Sequence, residues 1–175
     1  MTIQDQITHH IVRCFIHPFD RPKPIDFKPT LKQAKQVLIS LPPASQFVLP
    51  ASTIRAIIQL FPKKSVHLVT RDSKRTPKIG SKSVMQFPKT NIWSLIRNPS
   101  LKVLSQKQFD LFIDLDPRFS ALNIYLCRTL RPSICIGLPK PHANIYYNFI
   151  YNVASHETNI ERCNGLTLFL QTLMA

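Results

Sequence analysis

Two short apolar runs place the strongest constraint on what this chain can fold into. Gln36 to Leu41 (QVLISL) and Leu111 to Leu115 (LFIDL) are nearly continuous in apolar residues, and runs of this length are typical of strands buried on both faces. Each run is followed by a segment with helical spacing and then by another strand-like segment, at 54–61 and 65–70 and at 121–129 and 133–138. The alternation predicts an α/β fold, a Rossmann-like parallel sheet with helices on both faces.

Weaker patterns complete the outline of the chain. In residues 1–15 apolar side chains recur every four positions, which predicts an amphipathic helix, and the Pro-rich stretch 18–29 predicts an extended connector. We therefore expect helix and connector over residues 1–31 and one α/β domain over residues 32–175. Within that domain, further patterns predict a short strand at 83–87, one or two helical turns within 91–104, and a C-terminal helix at 160–173 that Asn159 caps.

The charge of the chain is strongly positive. It has 23 Lys and Arg against 9 Asp and Glu, a formal net charge of +14, which attracts phosphates on nucleic acid, anionic lipid or phosphorylated glycans and does not choose among them. A basic surface that only maintains solubility is the alternative. The densest cations lie in one loop, and we predict that they bind phosphate: Arg71, Lys74, Arg75 and Lys78.

Several classes of protein are excluded or disfavoured. The three glycines lie too far apart to form either GxGxxG or GxxxxGK(S/T), the two glycine motifs that bind phosphate. We therefore expect no dinucleotide or other cofactor. The six histidines lack ligand spacing, so we expect no metal. Four cysteines without a CxxC pair indicate reduced thiols and a cytoplasmic protein. No apolar stretch reaches the roughly 20 residues of a membrane-spanning helix, so the protein is expected to lie on a membrane at most.

The residues that follow each predicted strand are the candidates for a site. Ligands of open α/β sheets bind beyond the carboxyl ends of the strands. The residues that we expect to contact a ligand there are Ser45, Gln46, Asp116, Arg118, Lys140 and His142. Asp114 and Asp116 are the weak candidates for a catalytic general base, and capping of the following helix is the alternative role for either.

Two segments carry a resemblance to a known family. VLISLPPASQFVLPASTIRAIIQLFPKKSVHLVTRD and FDLFIDLDPRFSALNIYLCRTLRPSICIGL resemble the N-terminal, acceptor-side domain of the heptosyltransferase-like family 9 glycosyltransferases. The resemblance covers roughly residues 35–173, with Gly137 at the position of a family glycine. It implies one half of a two-domain GT-B fold, a role in lipopolysaccharide biosynthesis, and a place at the inner face of the membrane.

The chain departs from this family in two ways that bear on catalysis. The loop after the first strand reads Pro42-Pro43-Ala44-Ser45-Gln46, where the family carries an Asp that acts as the base on the acceptor. The resemblance also covers only the acceptor-side domain, so we expect the donor-binding domain to lie outside this chain. We therefore expect a non-catalytic domain that binds an anionic glycan or lipid acceptor or a separate donor-binding chain. A basic protein that binds RNA or DNA through backbone phosphates is the alternative.

Overall fold

One parallel sheet organises the residues that the structure, a computed structural model, describes: 25–43, 47–62, 64–71, 84–87, 97–152 and 158–175. The strands are β1 Gln36–Ser40, β2 Ser65–Thr70, β3 Val84–Gln86, β4 Leu111–Asp114, β5 Ile134–Gly137 and β6 Phe149–Ile150. They pair in the order β3-β2-β1-β4-β5-β6, and every pairing is parallel. This is the strand order of the Rossmann fold, so the predicted fold class is confirmed.

Helices cover both faces of the sheet. They are α1 Phe27–Gln33, α2 Ala51–Gln59, α3 Pro99–Ser105, α4 Ala121–Leu130, α5 Ala143–Tyr146 and α6 Asn159–Met174. Residues of α1, α2 and α6 share one core cluster with the sheet, and residues of α3, α4 and α5 share the other. The sheet is therefore the middle layer of three, as right-handed crossovers between parallel strands require.

Alternation along β1 explains why its sequence reads as continuously apolar. Val37 and Ile39 pack in the cluster that contains α2 and α6, whereas Leu38 packs in the opposite cluster. All three side chains are fully buried, and full burial of one such side chain contributes about 1.5 to 3 kcal/mol. Because both faces are covered, neither face of the strand can carry the polar residues of a half-exposed strand.

The connector predicted through Pro29 is wrong over its last residues. Phe27 begins α1, and Pro29 lies in the first turn of this helix, where its missing N–H costs no hydrogen bond. Leu31 of α1 is fully buried in the core that α6 also lines. Residues 1–24, with the predicted amphipathic helix, lie outside the described residues, and the division of the chain at residue 32 stays a prediction.

Helix caps and two short elements also differ from the expectations. Thr158, not Asn159, is the N-cap of α6, because its hydroxyl accepts from the Glu161 N–H while the Glu161 carboxylate accepts from the Thr158 N–H, a complete capping box. The four-residue α5 and the two-residue β6 were not predicted, since elements of that length carry no periodicity. Tyr146 is the last residue of α5.

The cysteines of the described residues pack as small apolar side chains. Cys127, Cys135 and Cys163 are buried free thiols, and burial raises the pKa of the Cys163 thiol to about 12. The thiolate of Cys163 is therefore disfavoured at neutral pH, and all three cysteines lie among the residues of the core. None of the helices in the described ranges combines the length and apolar character that a membrane crossing needs.

Candidate functional site at the carboxyl edge of the sheet

The last residues of three neighbouring strands form the floor of the site. Ser40 of β1 pairs with Asp114 of β4, and Asp114 pairs with Gly137 of β5. We call this end of the sheet, with the loops that follow the strands, the carboxyl edge. Two side chains of the row meet α4, because Asn123 accepts from the Ser40 hydroxyl at 2.7 Å and donates to Asp114 Oδ1 at 2.7 Å. The helix is thereby fixed to the ends of two strands.

Asp114 is fully buried and has all of its acceptor positions filled. Its Oδ1 accepts from the Asp116 N–H at 2.9 Å as well as from Asn123. Its Oδ2 accepts from Lys140 Nζ at 2.7 Å and from the Tyr147 hydroxyl at 2.5 Å. A carboxylate offers about four lone-pair sites, so the protein itself occupies them all. Asp114 therefore joins the end of β4 to α4, Lys140 and Tyr147.

Lys140 is the buried cation of the site. Its side chain is 2% exposed, although the residue as a whole is half-buried, so the exposure belongs to its backbone. Nζ donates to Asp114 and to the main-chain carbonyl of Asp116, and it lies 5.2 Å from the centroid of the Tyr147 ring. A buried ammonium group needs such partners, since burial without them costs several kcal/mol.

Asp116 pairs with the cation that follows β2. Its Oδ2 accepts from Arg71 Nη2 at 2.9 Å, and its Oδ1 accepts from the Arg118 N–H at 3.1 Å. Burial and the charge of Asp114 raise the pKa of Asp116 to about 6, partly opposed by Arg71 and Lys140. Asp116 is thus a carboxylate that ionises with difficulty and whose charge Arg71 offsets.

Tyr147 reaches Asp114 only because Gly137 has no side chain. A Cβ atom on Gly137 would lie 2.9 Å from the Tyr147 ring, closer than carbon atoms pack. Burial and the charge of Asp114 raise the pKa of the Tyr147 hydroxyl well above its usual value, so the phenol stays protonated and donates to Asp114. The glycine at the end of β5 is therefore part of the site.

The structure brings together four of the residues that the sequence predicted for the site: Arg71, Asp114, Asp116 and Lys140. Arg118 and His142 are exposed beside them, and His142 precedes α5 with a positive φ of 60°. Ser45, Gln46, Lys74, Arg75 and Lys78 lie outside the described residues. The prediction that an aspartate caps α4 is wrong, because Ser120 is the N-cap and accepts from the Asn123 N–H.

Sequence reasoning missed Ser40, Asn123 and Tyr147 as members of the site. Two signals could have found the first two, a single Ser in an otherwise apolar strand and an Asn between Leu122 and Ile124 in a helix. Both are polar side chains at core positions, and buried polar groups require partners. Tyr147 carried no comparable signal, since tyrosines pack in many cores without a role at a site.

Comparisons with known proteins give one distant likeness of fold. No family model matches the chain, and no curated protein matches it in sequence. The chain is similar to the crystal structure of the glycosyl transferase family 9 protein from Veillonella parvula, with a TM-score of 0.48 and 12% identity over 79% of this chain and 41% of that chain. The chain thus spans less than half the length of that protein. This distant likeness concerns the fold alone. The assignment of a Rossmann-like topology is based on the observed strand order.

Proposed function

We propose that this chain is a glycosyltransferase-like binding domain, which holds an anionic glycan or lipid acceptor at the carboxyl edge and does not transfer sugar by itself. The observation that carries the proposal is the state of Asp114, whose four acceptor positions are filled by donors of the protein. Glycosyl transfer to a hydroxyl needs a base that can take a proton. A buried carboxylate whose lone pairs are all engaged has to give up a hydrogen bond before it can take that proton, so Asp114 is a poor base in this arrangement.

Asp116 does not replace Asp114 as a base in this proposal. Its Oδ2 is paired with Arg71 and its Oδ1 accepts a backbone N–H. A pKa of about 6 would suit a general base at neutral pH. Nevertheless, the side chain is 1% exposed, so an acceptor hydroxyl has no direct access to its oxygens unless the ion pair opens.

The charges of the site favour an anionic ligand. Two carboxylates, Asp114 and Asp116, are offset by two cations, Lys140 and Arg71. Arg118, which is exposed at the same edge, then adds positive charge that no carboxylate of this cluster balances. A guanidinium group binds phosphate through two parallel hydrogen bonds, so a phosphorylated glycan or an anionic headgroup is the ligand that we propose.

The place that we propose for the protein is the inner face of a membrane, in lipopolysaccharide assembly or a related glycolipid process. A net charge of +14 favours anionic leaflets, where each basic residue near the surface contributes about 1 kcal/mol. We propose a donor-binding chain as its protein partner. This location is also consistent with acceptors whose lipid part stays in the bilayer.

Vesicle flotation tests the binding half of the proposal. We expect the chain to float with phosphatidylcholine vesicles that contain phosphatidylglycerol and to remain behind with phosphatidylcholine alone. Arg118→Met should weaken flotation, whereas Arg55→Met, which removes the same charge from an exposed position of α2, should have a smaller effect. Equal losses for the two variants would mean that net charge, and no particular edge, attracts the membrane.

A nucleic-acid arm tests the alternative in the same experiment. Single-stranded RNA is titrated at two salt concentrations, because binding through phosphates weakens steeply as salt rises. We expect RNA to bind more weakly than the anionic vesicles and to be insensitive to Arg118→Met. Tighter binding of RNA, with a steep salt dependence and displacement of the vesicles, would contradict the glycan or lipid proposal.

A further inference from the structure

A second concave surface lies at the opposite end of the sheet. It is a cavity of about 890 Å³ where the strands begin, and we call it the amino-edge cavity. Its lining comes from the α1–β1 junction, the start of β2, the loop between α3 and β4, and the residue before β5. Small-molecule sites measure about 300 to 1,000 Å³, so the space suits a ligand of that size. The cluster around Asp114 contributes no residue to it.

Most residues of the lining have polar side chains, and the aliphatic parts of these side chains also contribute to its surface. Four glutamines and three hydroxyl side chains surround the space, and Ala34 is its one apolar lining residue in the described part of the chain. Amides and hydroxyls can each donate and accept hydrogen bonds. A ligand that carries several hydroxyl groups matches such a lining, whereas a mostly apolar ligand would leave these groups without partners.

Two lysines give the cavity a positive charge. Lys35 and Lys107 both line it and are exposed. Among the described residues the ion pairs are those of Asp114 and Asp116 at the other edge, so neither lysine is held by a carboxylate there. The acidic residue of the lining is Asp110, and its Oδ2 accepts from the Lys35 N–H at 2.7 Å and from the Gln36 N–H at 2.9 Å. These hydrogen bonds join β1 to β4, and the Asp110 carboxylate leaves one negative charge beside the two lysines of the lining.

A hydrogen-bonded pair gives the cavity a fixed hydroxyl. Ser65 Oγ lies 3.1 Å from His67 Nε2, and the His67 ring makes an edge contact with Phe109, with centroids 5.5 Å apart. Ser65 pairs in register with Gln36, which places both at the first row of the sheet beside Asp110. His67 is buried and Ser65 is exposed, so the contact with His67 holds the Ser65 hydroxyl at the edge of the cavity; which of the two donates depends on the tautomer of His67.

We propose that the amino-edge cavity is a binding site for a small phosphorylated polyol. Lys35 and Lys107 bind the phosphate, and the glutamine amides with Ser65 bind the hydroxyls. This site is separate from the carboxyl edge and does not depend on the function proposed for that edge. The same chemistry could be presented by a free sugar phosphate or by the headgroup of a phosphorylated lipid, and the experiment distinguishes these two sources.

Calorimetric titration of the full chain tests the site with three probes: myo-inositol monophosphate, myo-inositol and inorganic phosphate. We expect saturable binding of the monophosphate. Myo-inositol and inorganic phosphate should each bind at least about tenfold more weakly, because myo-inositol lacks the contacts to the lysines and inorganic phosphate lacks the contacts to the amides. Lys35→Met and Lys107→Met should each weaken the monophosphate about tenfold. Gln108→Ala should weaken the monophosphate but leave inorganic phosphate unchanged.

Matched controls separate this site from general charge and from the carboxyl edge. Lys28→Met and Lys102→Met remove exposed lysines outside the cavity and should change the affinity less than about twofold. Arg118→Met should leave it unchanged. Stronger flotation with phosphatidylinositol vesicles than with phosphatidylglycerol vesicles of equal charge, an excess that Lys35→Met removes and Arg118→Met leaves, would identify a lipid headgroup as the source. Equal flotation with the two lipids, with monophosphate binding intact, would identify a free ligand. The proposal is overturned if the monophosphate does not saturate, if inorganic phosphate binds equally well, or if the control lysines matter as much.

Discussion

The two ends of strand β4 use the same residue type in different ways. Asp110, just before the strand, is half-buried and accepts from two backbone N–H groups. Asp114, at its end, is fully buried and accepts from a backbone N–H, an amide, a phenol and a buried ammonium group. The amino edge thus has exposed lysines beside its cavity. At the carboxyl edge the buried charges are paired with one another. A carboxylate at a strand end therefore marks a binding site only if its partners leave an acceptor position vacant.

Removal of the negative charge at each end of β4 should give the largest difference between the edges. Asp114→Asn leaves Lys140 buried without a counter-charge, and we expect a loss of about 3 to 5 kcal/mol of unfolding free energy. Asp110→Asn loses only backbone hydrogen bonds to a charged group at a half-exposed position, about 1 to 2 kcal/mol. Urea unfolding followed by circular dichroism measures both. Equal losses would contradict the contrast, and Asp114→Asn combined with Lys140→Met should be more stable than Asp114→Asn alone.

The pH dependence of stability tests the cost of burying Asp116. Its pKa in the folded protein, about 6, lies above the ordinary 3.8, so the folded state binds more protons than the unfolded state between these values. Its contribution to stability is therefore lost as pH rises from about 4 to about 6. Relative to wild type, Asp116→Asn should gain on the order of 2 kcal/mol across that interval, since one pKa unit corresponds to about 1.4 kcal/mol.

Urea unfolding of wild type and Asp116→Asn at several pH values measures this difference. A difference that is flat with pH would mean that Arg71 and Lys140 offset the burial of Asp116 completely.

Gly137 in β5 and Gly165 in α6 should differ in how well they tolerate a side chain. Gly137→Ala places a Cβ 2.9 Å from the fully packed Tyr147 ring and should cost about 1 to 3 kcal/mol. Gly165→Ala meets the hydroxyl end of half-buried Tyr151 at 2.6 Å, which can move, and the gain in helix propensity of about 1 kcal/mol offsets the crowding. Thermal unfolding measures both, and a loss for Gly165→Ala as large as for Gly137→Ala would mean that Tyr151 cannot yield.

The smallest effect is expected for the exposed lysines of the amino edge. Lys35→Met should change the unfolding free energy by less than about 0.5 kcal/mol, because exposed substitutions away from paired groups have little effect. The same urea experiment measures it. A loss above about 1 kcal/mol would mean that Lys35 stabilises the fold, which would leave its side chain less available to a ligand.

How much of the fold the sequence predicts depends on the length of each apolar pattern. β1 was predicted within one residue, because its apolar run fits a strand buried on both faces, and β2 was predicted at its observed bounds from the alternation and β-branched residues of SVHLVT. β6 has two residues, too few for any period. Asp114 and Lys140 were predicted because they lie where strands end. Their hydrogen bond, however, spans 26 positions of the sequence, and the hydrogen bond from Ser40 to Asn123 spans 83. Such contacts depend on the folded sheet and leave no trace in local spacing.

The most direct test of the central claim is a transfer assay with the purified chain, a set of nucleotide sugars and a glycolipid acceptor in vesicles that the chain binds. We predict that nucleotide release stays at the level of the buffer, in wild type and in Asp116→Asn alike, while the protein remains on the vesicles. Nucleotide release by wild type that Asp116→Asn abolishes would contradict the account, because it would show that a carboxylate of the carboxyl edge is available to act as a base.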